Sequence, residues 1–317
     1  MRGDIKIQHW QPQLSLPQQA VFILGSRDIS AARVAQLTQQ LGQHLAKPLV
    51  WGLLAEKAII GLEQSPQFAS LSQATLFEGL KIAQRASSSL PSIEVLLYSQ
   101  KDTPAIIASH KWTAVIGING SWHRAFHYRE EYQAIQHRKI PYKLVSAFIN
   151  QDEAIKYAQK ISAQNTPLEI HPSNIINDRQ IMELVDKVAA QSFDHTWQTG
   201  AVLVQKNQIL LTAHNKVVPF ETYSLLHGSS KEKNRTPPQD LNHYDTNHAE
   251  VELILQALQA GLNIDGSTLY LNLMPCPTCA RMLIESGIKT IIYKQPHQAD
   301  YVTRILCDGG ITIKEYK

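Results

Sequence analysis

The amino-acid sequence predicts an α/β protein with two domains. Short apolar runs alternate with segments of helical periodicity along the first half of the chain, which is the pattern of an α/β layered domain. A second series of five short strand-like runs, separated by helical segments, fills the C-terminal half. The length of 317 residues allows two domains, each with a hydrophobic core of its own.

Five apolar runs predict the strands of the first domain, which we place at residues 1–165. The run Ala20–Gly25 ends in glycine and leads into a helical pattern around Val34. The amphipathic segment Asp152–Ile161 predicts a helix at the end of the domain. The other four strands are predicted at Pro48–Leu53, Ile93–Tyr98, Trp112–Gly117 and Tyr142–Phe148.

A change in composition separates the two domains. The segment Ser162–Asn174 contains two prolines and several turn-forming residues without sustained periodicity, so we predict a linker there and a second domain at residues 175–317. Asp178 is the predicted cap of the first helix of this domain. A later helix, His248–Ala260, is expected to end at Gly261 and to bury Val251, Ile254, Leu255 and Leu258. The strands Gly200–Gln205 and Gln208–Thr212 are predicted to pair around a turn at Lys206-Asn207. The remaining elements are predicted as strands at Thr268–Leu273, Thr290–Tyr293 and Gly310–Lys314, and as a helix at Cys276–Ser286.

The composition favours a cytoplasmic protein. The formal net charge of +3 is too small for the basic signature of a nucleic-acid-binding protein. The three cysteines are an odd number confined to the end of the chain, which favours metal binding in a reducing compartment over a disulfide framework. The N-terminal residues lack the apolar core of a secretory signal, and no apolar run reaches the length of about 18 residues that a membrane span needs. We therefore expect a soluble protein without a membrane partner.

Two short motifs carry the chemistry. The first is His248-Ala-Glu250 at the start of one predicted helix, and the second is Pro275-Cys-Pro-Thr-Cys279 at the start of another. Cysteines three residues apart lie on one face of a helix, so Cys276 and Cys279 can reach one metal ion while His248 supplies a third ligand. Three protein ligands leave a position for water, whose pKa a bound zinc ion lowers toward neutrality. Glu250 would then lie beside that water as a proton shuttle.

His-x-Glu followed by Pro-Cys-x-x-Cys resembles the signature of the zinc-dependent nucleobase deaminases. The stretch from about Gln180 to Glu315 is similar, in the order of its motifs and elements, to the superfamily of cytidine, deoxycytidylate and tRNA-adenosine deaminases. This resemblance implies a three-layer domain with a mixed five-stranded sheet flanked by helices. It also implies that Zn²⁺ is bound by His248, Cys276 and Cys279, and that Glu250 is the catalytic acid and base.

The same resemblance suggests substrate-binding residues. Ala213-His-Asn215, at the end of a predicted strand, is similar to the Gly-x-Asn of the family, and there Asn215 would orient the base or sugar. The backbone at Ala249 and the segment Leu273–Pro275 would line the base pocket, with Thr246 and Asn247 nearby in sequence. The alternative for Asn215 is a purely structural role, because asparagine often ends a strand in a turn.

Four other features have both a functional and a structural interpretation. Cys307 is a candidate fourth ligand or a small buried side chain. Gly25-Ser-Arg-Asp28 follows a strand as an anion-binding turn would, but it lacks a glycine-rich fingerprint and a Walker lysine. Trp122–Arg129 interleaves aromatic and basic residues as in single-strand nucleic-acid binders, or is an amphipathic helix. In the long segment 216–247, a phosphate grip or a solvated loop is predicted for Ser229, Ser230, Lys231, Lys233 and Arg235.

Three functions therefore compete. The favoured one is hydrolytic deamination of a small-molecule nucleobase substrate, a cytidine-type nucleoside or nucleotide. The second is deamination of adenosine or cytidine within RNA, with the first domain holding the polynucleotide and a flipped-out base entering the pocket. The third is a non-catalytic subunit that keeps zinc for structure, against which the intact Glu250 argues. Because members of the family often self-associate, a homo-oligomer is also expected.

Overall fold

The computed structural model describes residues 5–87, 89–122, 124, 126–164, 177–234, 244–297 and 299–317. The chain divides into two compact units, each of which is built from two separate stretches of the sequence. The first unit comprises Met1–Ile161 and Phe220–Tyr244, and the second comprises Ser162–Pro219 and Asp245–Lys317. The sequence prediction assigned residues 220–244, hereafter the insert, to the second domain, whereas its contacts group it with the first unit.

The described residues of the first unit form a six-stranded sheet in which each neighbouring pair of strands is parallel. The strands are β1 (Lys6–His9), β2 (Val21–Gly25), β3 (Leu49–Leu54), β4 (Ile93–Tyr98), β5 (Ala114–Ile118) and β6 (Tyr142–Val145). Their spatial order is β1-β4-β3-β2-β5-β6. All five predicted strands are present, with ends that differ by at most three residues. Strand β1 was not predicted because it contains a single apolar residue, Ile7, which is itself exposed.

Helices cover both faces of this sheet. They are α1 (Ala31–Leu45), α2 (Gln73–Ala86), α3 (Thr103–Ser109), α4 (Glu130–His137) and α5 (Gln151–Gln164). Side chains of a strand alternate between the two faces, so Val21 and Ile23 of β2 belong to a core with residues of α1, α2 and α5. Phe22 and Leu24 of the same strand belong to a second core with residues of α3 and α4. The apolar runs of the sequence are therefore strands buried on both sides.

The remaining elements follow in chain order. They are α6 (Asp178–Ala189), β7 (Gly200–Gln205), β8 (Gln208–His214), β9 (Lys216–Val217), α7 (Tyr223–His227), α8 (Ser230–Lys233), β10 (Thr246–Asn247), α9 (Ala249–Ala260), β11 (Thr268–Leu273), α10 (Pro277–Ile284), β12 (Thr290–Gln295), α11 (Ala299–Asp308) and β13 (Thr312–Glu315). Asn177, and not the predicted Asp178, caps α6 through a capping box with Gln180. Across the described ranges, every helix is too short or too polar to cross a membrane.

The second unit has the predicted three layers. Its sheet has the order β13-β12-β11-β7-β8, in which β7 is antiparallel to both neighbours and β11, β12 and β13 are parallel. Helix α6 packs on one face, and α9, α10 and α11 pack on the other. The predicted mixed five-stranded sheet is thus confirmed. The turn between β7 and β8 is at Lys206 and Asn207, both with positive φ, as the sequence indicated.

The predicted inner face of α9 was wrong for its two leucines. Leu258 is 72% exposed and Leu255 is 40% exposed. The buried residues of α9 include Ala249, Leu253 and Ala257, which are spaced by four and therefore lie on one stripe of the helix. Glu250 lies beside this stripe and is also buried. The inner face of α9 is therefore formed by Ala249, Glu250, Leu253 and Ala257, and Leu255 and Leu258 lie away from that face.

The insert completes a core of the first unit through Leu225. This side chain is fully buried and belongs to the core formed with α1, α2 and α5. The carbonyl oxygen of Leu225 accepts hydrogen bonds from the backbone N–H of Ala147 at 3.0 Å and from Asn119 Nδ2 at 3.2 Å. Thr222 donates its hydroxyl to the Ala154 carbonyl of α5 at 2.8 Å. Apolar packing and hydrogen bonds therefore bind the same short stretch.

A buried carboxylate provides a second anchor for the insert. Glu232, in α8, accepts hydrogen bonds from the backbone N–H groups of Phe126 and His127. Its Oε2 also lies 2.5 Å from His127 Nδ1, and both side chains are almost fully buried. Because the chain holds this carboxylate away from water, its hydrogen-bond donors must come from the protein.

Replacing Glu232 with alanine is expected to lower the free energy of unfolding by about 3 kcal/mol, because it leaves two backbone donors and a buried imidazole without their acceptor. Urea denaturation followed by circular dichroism measures this difference. Glu78→Ala is the matched control, since Glu78 is an exposed glutamate of α2 and surface substitutions usually change stability by less than about 0.5 kcal/mol. Equal midpoints for the two variants would contradict the anchoring role.

Candidate metal centre and active site

Two helix starts bring the three predicted metal ligands together. His248 is the N-cap residue of α9, and Cys276 is the N-cap residue of α10 with Cys279 in the first turn. His248 Nδ1 lies 3.7 Å from Cys276 Sγ and 3.4 Å from Cys279 Sγ. The three ligand atoms all lie within 4.8 Å of one another. Cys307, at the end of α11, is exposed and lies outside this group.

The donor set fits a zinc ion. The Cys279 thiol, hydrogen-bonded to Cys276, lowers the pKa of Cys276 to about 3, with the His248 ring acting in the same direction. The pKa of Cys279 is raised, because it shares its proton with that neighbouring sulfur and is also buried. Two sulfurs this close can both be anionic only if a cation lies between them. Two thiolates and one imidazole are ligands that Zn²⁺ prefers, and three ligands are typical of a catalytic site.

Glu250 lies next to these ligands on the second residue of α9. Its side chain is 5% exposed, and burial raises its pKa, while the nearby His248 opposes this rise. The Cys279 thiol hydrogen-bonds to the same carboxylate. A carboxyl group in such surroundings can both hold and release a proton during a reaction. The structure therefore places the predicted acid and base beside the predicted ligands.

The three predicted substrate-binding residues lie close in the chain to these elements. Ala249, the first residue of α9, is fully buried, and Pro275 is buried between β11 and α10. Asn215 follows β8 and is also buried. Its Nδ2 donates to Asp194 Oδ2 at 3.2 Å and to the Trp197 carbonyl at 2.9 Å. The amide hydrogens of Asn215 are thus used within the protein, and substrate contacts by the three residues stay a prediction.

Asp194 is a buried carboxylate near the predicted site residues that the sequence analysis did not single out. Its Oδ1 accepts hydrogen bonds from the backbone N–H groups of Thr196 at 2.7 Å and Trp197 at 3.3 Å. Its Oδ2 accepts from Asn215 and from Thr246 Oγ1, the latter at 3.4 Å. Since Thr246 comes two residues before His248, one buried carboxylate joins the loop before β7 to the approach of a metal ligand. The pattern Asp-x-Thr, which favours a local turn, was the available signal.

Two predicted binding segments lie in the first unit. Lys231 of the insert places its ammonium 5.6 Å from the ring centroid of Tyr244, and Arg235 lies outside the described residues. The phosphate grip predicted for this segment stays a prediction. In the aromatic and basic segment, Trp122 and Phe126 are buried and stack with ring centroids 4.1 Å apart. Two aromatic side chains of the segment Trp122–Arg129, the main support for RNA binding, are therefore core residues, whereas Tyr128 is exposed.

The C-terminal part of the chain is similar to known proteins. Residues 175–295 match the family model of the cytidine and deoxycytidylate deaminase zinc-binding region. The deoxycytidylate deaminase of Enterobacteria phage T2 is 25% identical over 144 residues, which cover 36% of this chain and 77% of that protein. The enzyme of the same name from Saccharomyces cerevisiae is 25% identical over 140 residues, and the match spans 44% of each chain.

A solved structure is similar to a comparable share of this chain. The crystal structure of dCMP deaminase from the cyanophage S-TIM5, in complex with dCMP and dUMP, is 21% identical with a TM-score of 0.33. It covers 44% of this chain and 99% of its own. The resemblance expected from the two motifs is thus confirmed by the family match: residues 175–295 are similar to the zinc-binding region of the cytidine and deoxycytidylate deaminases.

Proposed function

We propose that the second unit catalyses the zinc-dependent hydrolytic deamination of a cytosine base, and that its substrate is a free deoxycytidine or cytidine nucleotide. The observation that carries this proposal is the buried Glu250 next to the group formed by His248, Cys276 and Cys279. A structural zinc site needs no carboxyl group with a raised pKa beside it. The names of the phage and yeast relatives support deoxycytidylate as the first substrate to test.

The chemistry adds water to the amine-bearing ring carbon and removes ammonia. A zinc ion bound by the three ligands would supply an activated water molecule as the nucleophile. Glu250 takes a proton from that water and delivers it to the adjacent ring nitrogen as the new carbon–oxygen bond forms. The carboxylate then takes the second proton from the newly added hydroxyl group and passes it to the amine, so the carbon–nitrogen bond breaks, ammonia leaves and the ring carries a carbonyl group. Water and the base are thereby converted to the deaminated base and ammonia.

The surroundings of Glu250 suit both halves of this proton transfer. Burial penalises the ionised carboxylate, so the protonated form survives long enough to act as an acid. His248, two residues earlier, favours the ionised form and opposes this rise in the pKa of Glu250. Hydrogen bonds from Asn215 and Thr246 to Asp194 link the residue after β8 and the segment before His248 to the loop before β7. These residues are proposed to position the base and do not transfer protons.

The substrate proposal is tested with the purified full-length protein loaded with zinc. We expect dCMP to be converted to dUMP with one ammonia released per base, measured by chromatography and by an ammonia assay. CMP, deoxycytidine and dAMP test the sugar, the phosphate and the base, and a single-stranded RNA tests the editing alternative. Deamination of RNA without deamination of dCMP would overturn the free-nucleotide substrate. Release of ammonia from none of them, with zinc bound, would favour the non-catalytic subunit.

A further inference from the structure

The first unit has a second candidate site at the carboxyl ends of its central strands. The chain builds β3 and β4 on one side of β2 and then returns to place β5 on the other side. Open parallel sheets bind ligands in the crevice at such a reversal, outside the carboxyl ends of the two strands. Ser26-Arg27-Asp28 follows β2 at this position, and Asn119-Gly120-Ser121 follows β5. The reversal thus brings two short polar loops to the same edge of the sheet.

Arg27 is the most unusual residue at this edge. It is only 1% exposed, and its three guanidinium nitrogens have no hydrogen-bond partner within the described ranges. Burial lowers its pKa from the ordinary value, and its contact with an aromatic ring is a distant one, 5.7 Å from Cζ to the ring centroid of Phe68. Buried charges in proteins are normally paired, so this guanidinium calls for an anion.

Arg33 shows what a structural arginine of the same unit does. It is also buried, yet its Nε and Nη2 donate to the Ser146 carbonyl at 3.1 and 2.8 Å. Its Nη1 donates to Gln36 as well. The side chain of Arg33 is therefore used by the fold itself, whereas the donors of Arg27 remain available. The two arginines form a natural pair for comparison.

Further buried donors belong to the neighbourhood of Arg27. The hydroxyl groups of Ser121, Tyr157 and Ser224 are buried and have no hydrogen-bond partner in the described part of the chain. Tyr157 is the strongest electrostatic neighbour of Arg27. Ser121 follows Gly120 in the sequence, and Ser224 precedes Leu225. Gly120 and Leu225 lie close together, because a Cβ built on Gly120 would lie 2.2 Å from Leu225 Cδ2, and the same Cβ would lie 3.9 Å from Arg27 Cζ. The guanidinium of Arg27 and the hydroxyl of Tyr157 are therefore neighbours at this edge, while Ser121 and Ser224 lie next in sequence to Gly120 and Leu225.

The balance of charge at this edge favours an anion. Asp28 is the acidic residue that acts on Arg27 electrostatically, but no ion pair between them is formed among the described side chains. Burial also raises the pKa of the Asp28 carboxyl, which weakens it as a counter-ion. Gly120 has a φ of +76°, and its missing side chain lets the guanidinium and Leu225 approach the backbone. The loop after β5 therefore brings its backbone close to the guanidinium of Arg27.

We propose that Arg27, with the hydroxyl group of Tyr157 beside it, binds the phosphate group of a small ligand at the carboxyl edge of the first sheet. An arginine fork with a neighbouring hydroxyl donor matches the geometry of phosphate oxygens. The insert contributes Leu225 to this edge, where its side chain lies against Gly120. The proposed site shares no residue with the zinc centre.

The test measures binding of inorganic phosphate to the full-length protein by titration calorimetry and thermal unfolding at constant ionic strength. Phosphate is expected to raise the melting temperature in a saturable way, because a ligand of the native state stabilises it. Arg27→Met is expected to weaken phosphate binding at least about tenfold, since a charge-assisted bidentate contact is lost. AMP and its phosphate-free counterpart adenosine separate a nucleotide from free phosphate, and binding of AMP but not adenosine is expected.

The stability of the variants without phosphate excludes a structural role. In phosphate-free buffer Arg27→Met should be at least as stable as the unchanged protein, because it removes a buried unpaired charge. Arg33→Met should be less stable and should keep the full phosphate affinity. Absence of phosphate and AMP binding, unchanged affinity in Arg27→Met, or a loss of stability in Arg27→Met equal to that in Arg33→Met would each overturn the proposal.

Discussion

Glu250→Gln is expected to reduce the rate at which the nucleotide substrate is deaminated by about a thousandfold, while leaving the zinc content unchanged. Glutamine keeps the size of the side chain but cannot carry the proton from water to the base. The Glu250 carboxylate is not among the three ligand atoms that lie together, so the zinc content should not fall. Steady-state kinetics together with metal analysis of the same preparation gives both quantities.

Glu252→Gln is the matched control for this experiment. Glu252 lies two residues further along α9 and accepts a hydrogen bond from Asn247 Nδ2 at 2.8 Å. A glutamine there can still accept that bond, so turnover should stay within a few-fold of the unchanged protein. Full activity in Glu250→Gln, or an equal loss in both variants, would remove the assigned acid and base role.

Cys276→Ser is expected to lose both zinc and stability. A serine oxygen is a poor zinc ligand, and Cys276 also accepts the backbone N–H of Cys279 at 3.4 Å as the cap of α10. We expect bound zinc to fall from about one ion per chain to less than about a tenth, because the remaining two ligands do not hold the ion. The melting temperature should fall with it, as metal binding contributes to native-state stability.

Cys307→Ser tests whether this loss is specific. Cys307 is exposed and lies outside the ligand group, so its replacement should change neither zinc content nor melting temperature. Addition of a chelator to the unchanged protein should reproduce the lower melting temperature of Cys276→Ser. If Cys307→Ser lost zinc as well, Cys307 would be a ligand and the site would have four protein donors.

Local patterns of the sequence predicted the parts of the fold that local physics decides. The turn at Lys206-Asn207 and the stop of α9 at Gly261 are both present, and Asn207 and Gly261 have positive φ, a conformation that asparagine and glycine adopt readily. The strand Ile93–Tyr98 has the predicted ends. The grouping of His248, Cys276 and Cys279 was expected from the resemblance of the two motifs to the deaminase signature, and both motifs do begin helices.

Tertiary contacts decided what the sequence patterns did not show. The apolar spacing of α9 is compatible with more than one inner face, and burial of Glu250 with Leu253 and Ala257 selects the face without Leu258. The network around Asp194 joins residues that are far apart in the chain, so no local pattern predicts it. The membership of the insert in the first unit depends in the same way on Leu225.

The discontinuous first unit determines how the chain can be taken apart. Strands β9 and β10 pair through Val217 and Thr246, and the Val218 N–H donates to the Asp245 carbonyl at 3.4 Å. The insert therefore leaves and rejoins the second unit through one narrow ribbon. A cut in the linker alone would leave Leu225 attached to the deaminase fragment without its core. A short turn joining Pro219 to Asp245 would instead close the ribbon, and the excised segment would belong on the other fragment, appended after α5.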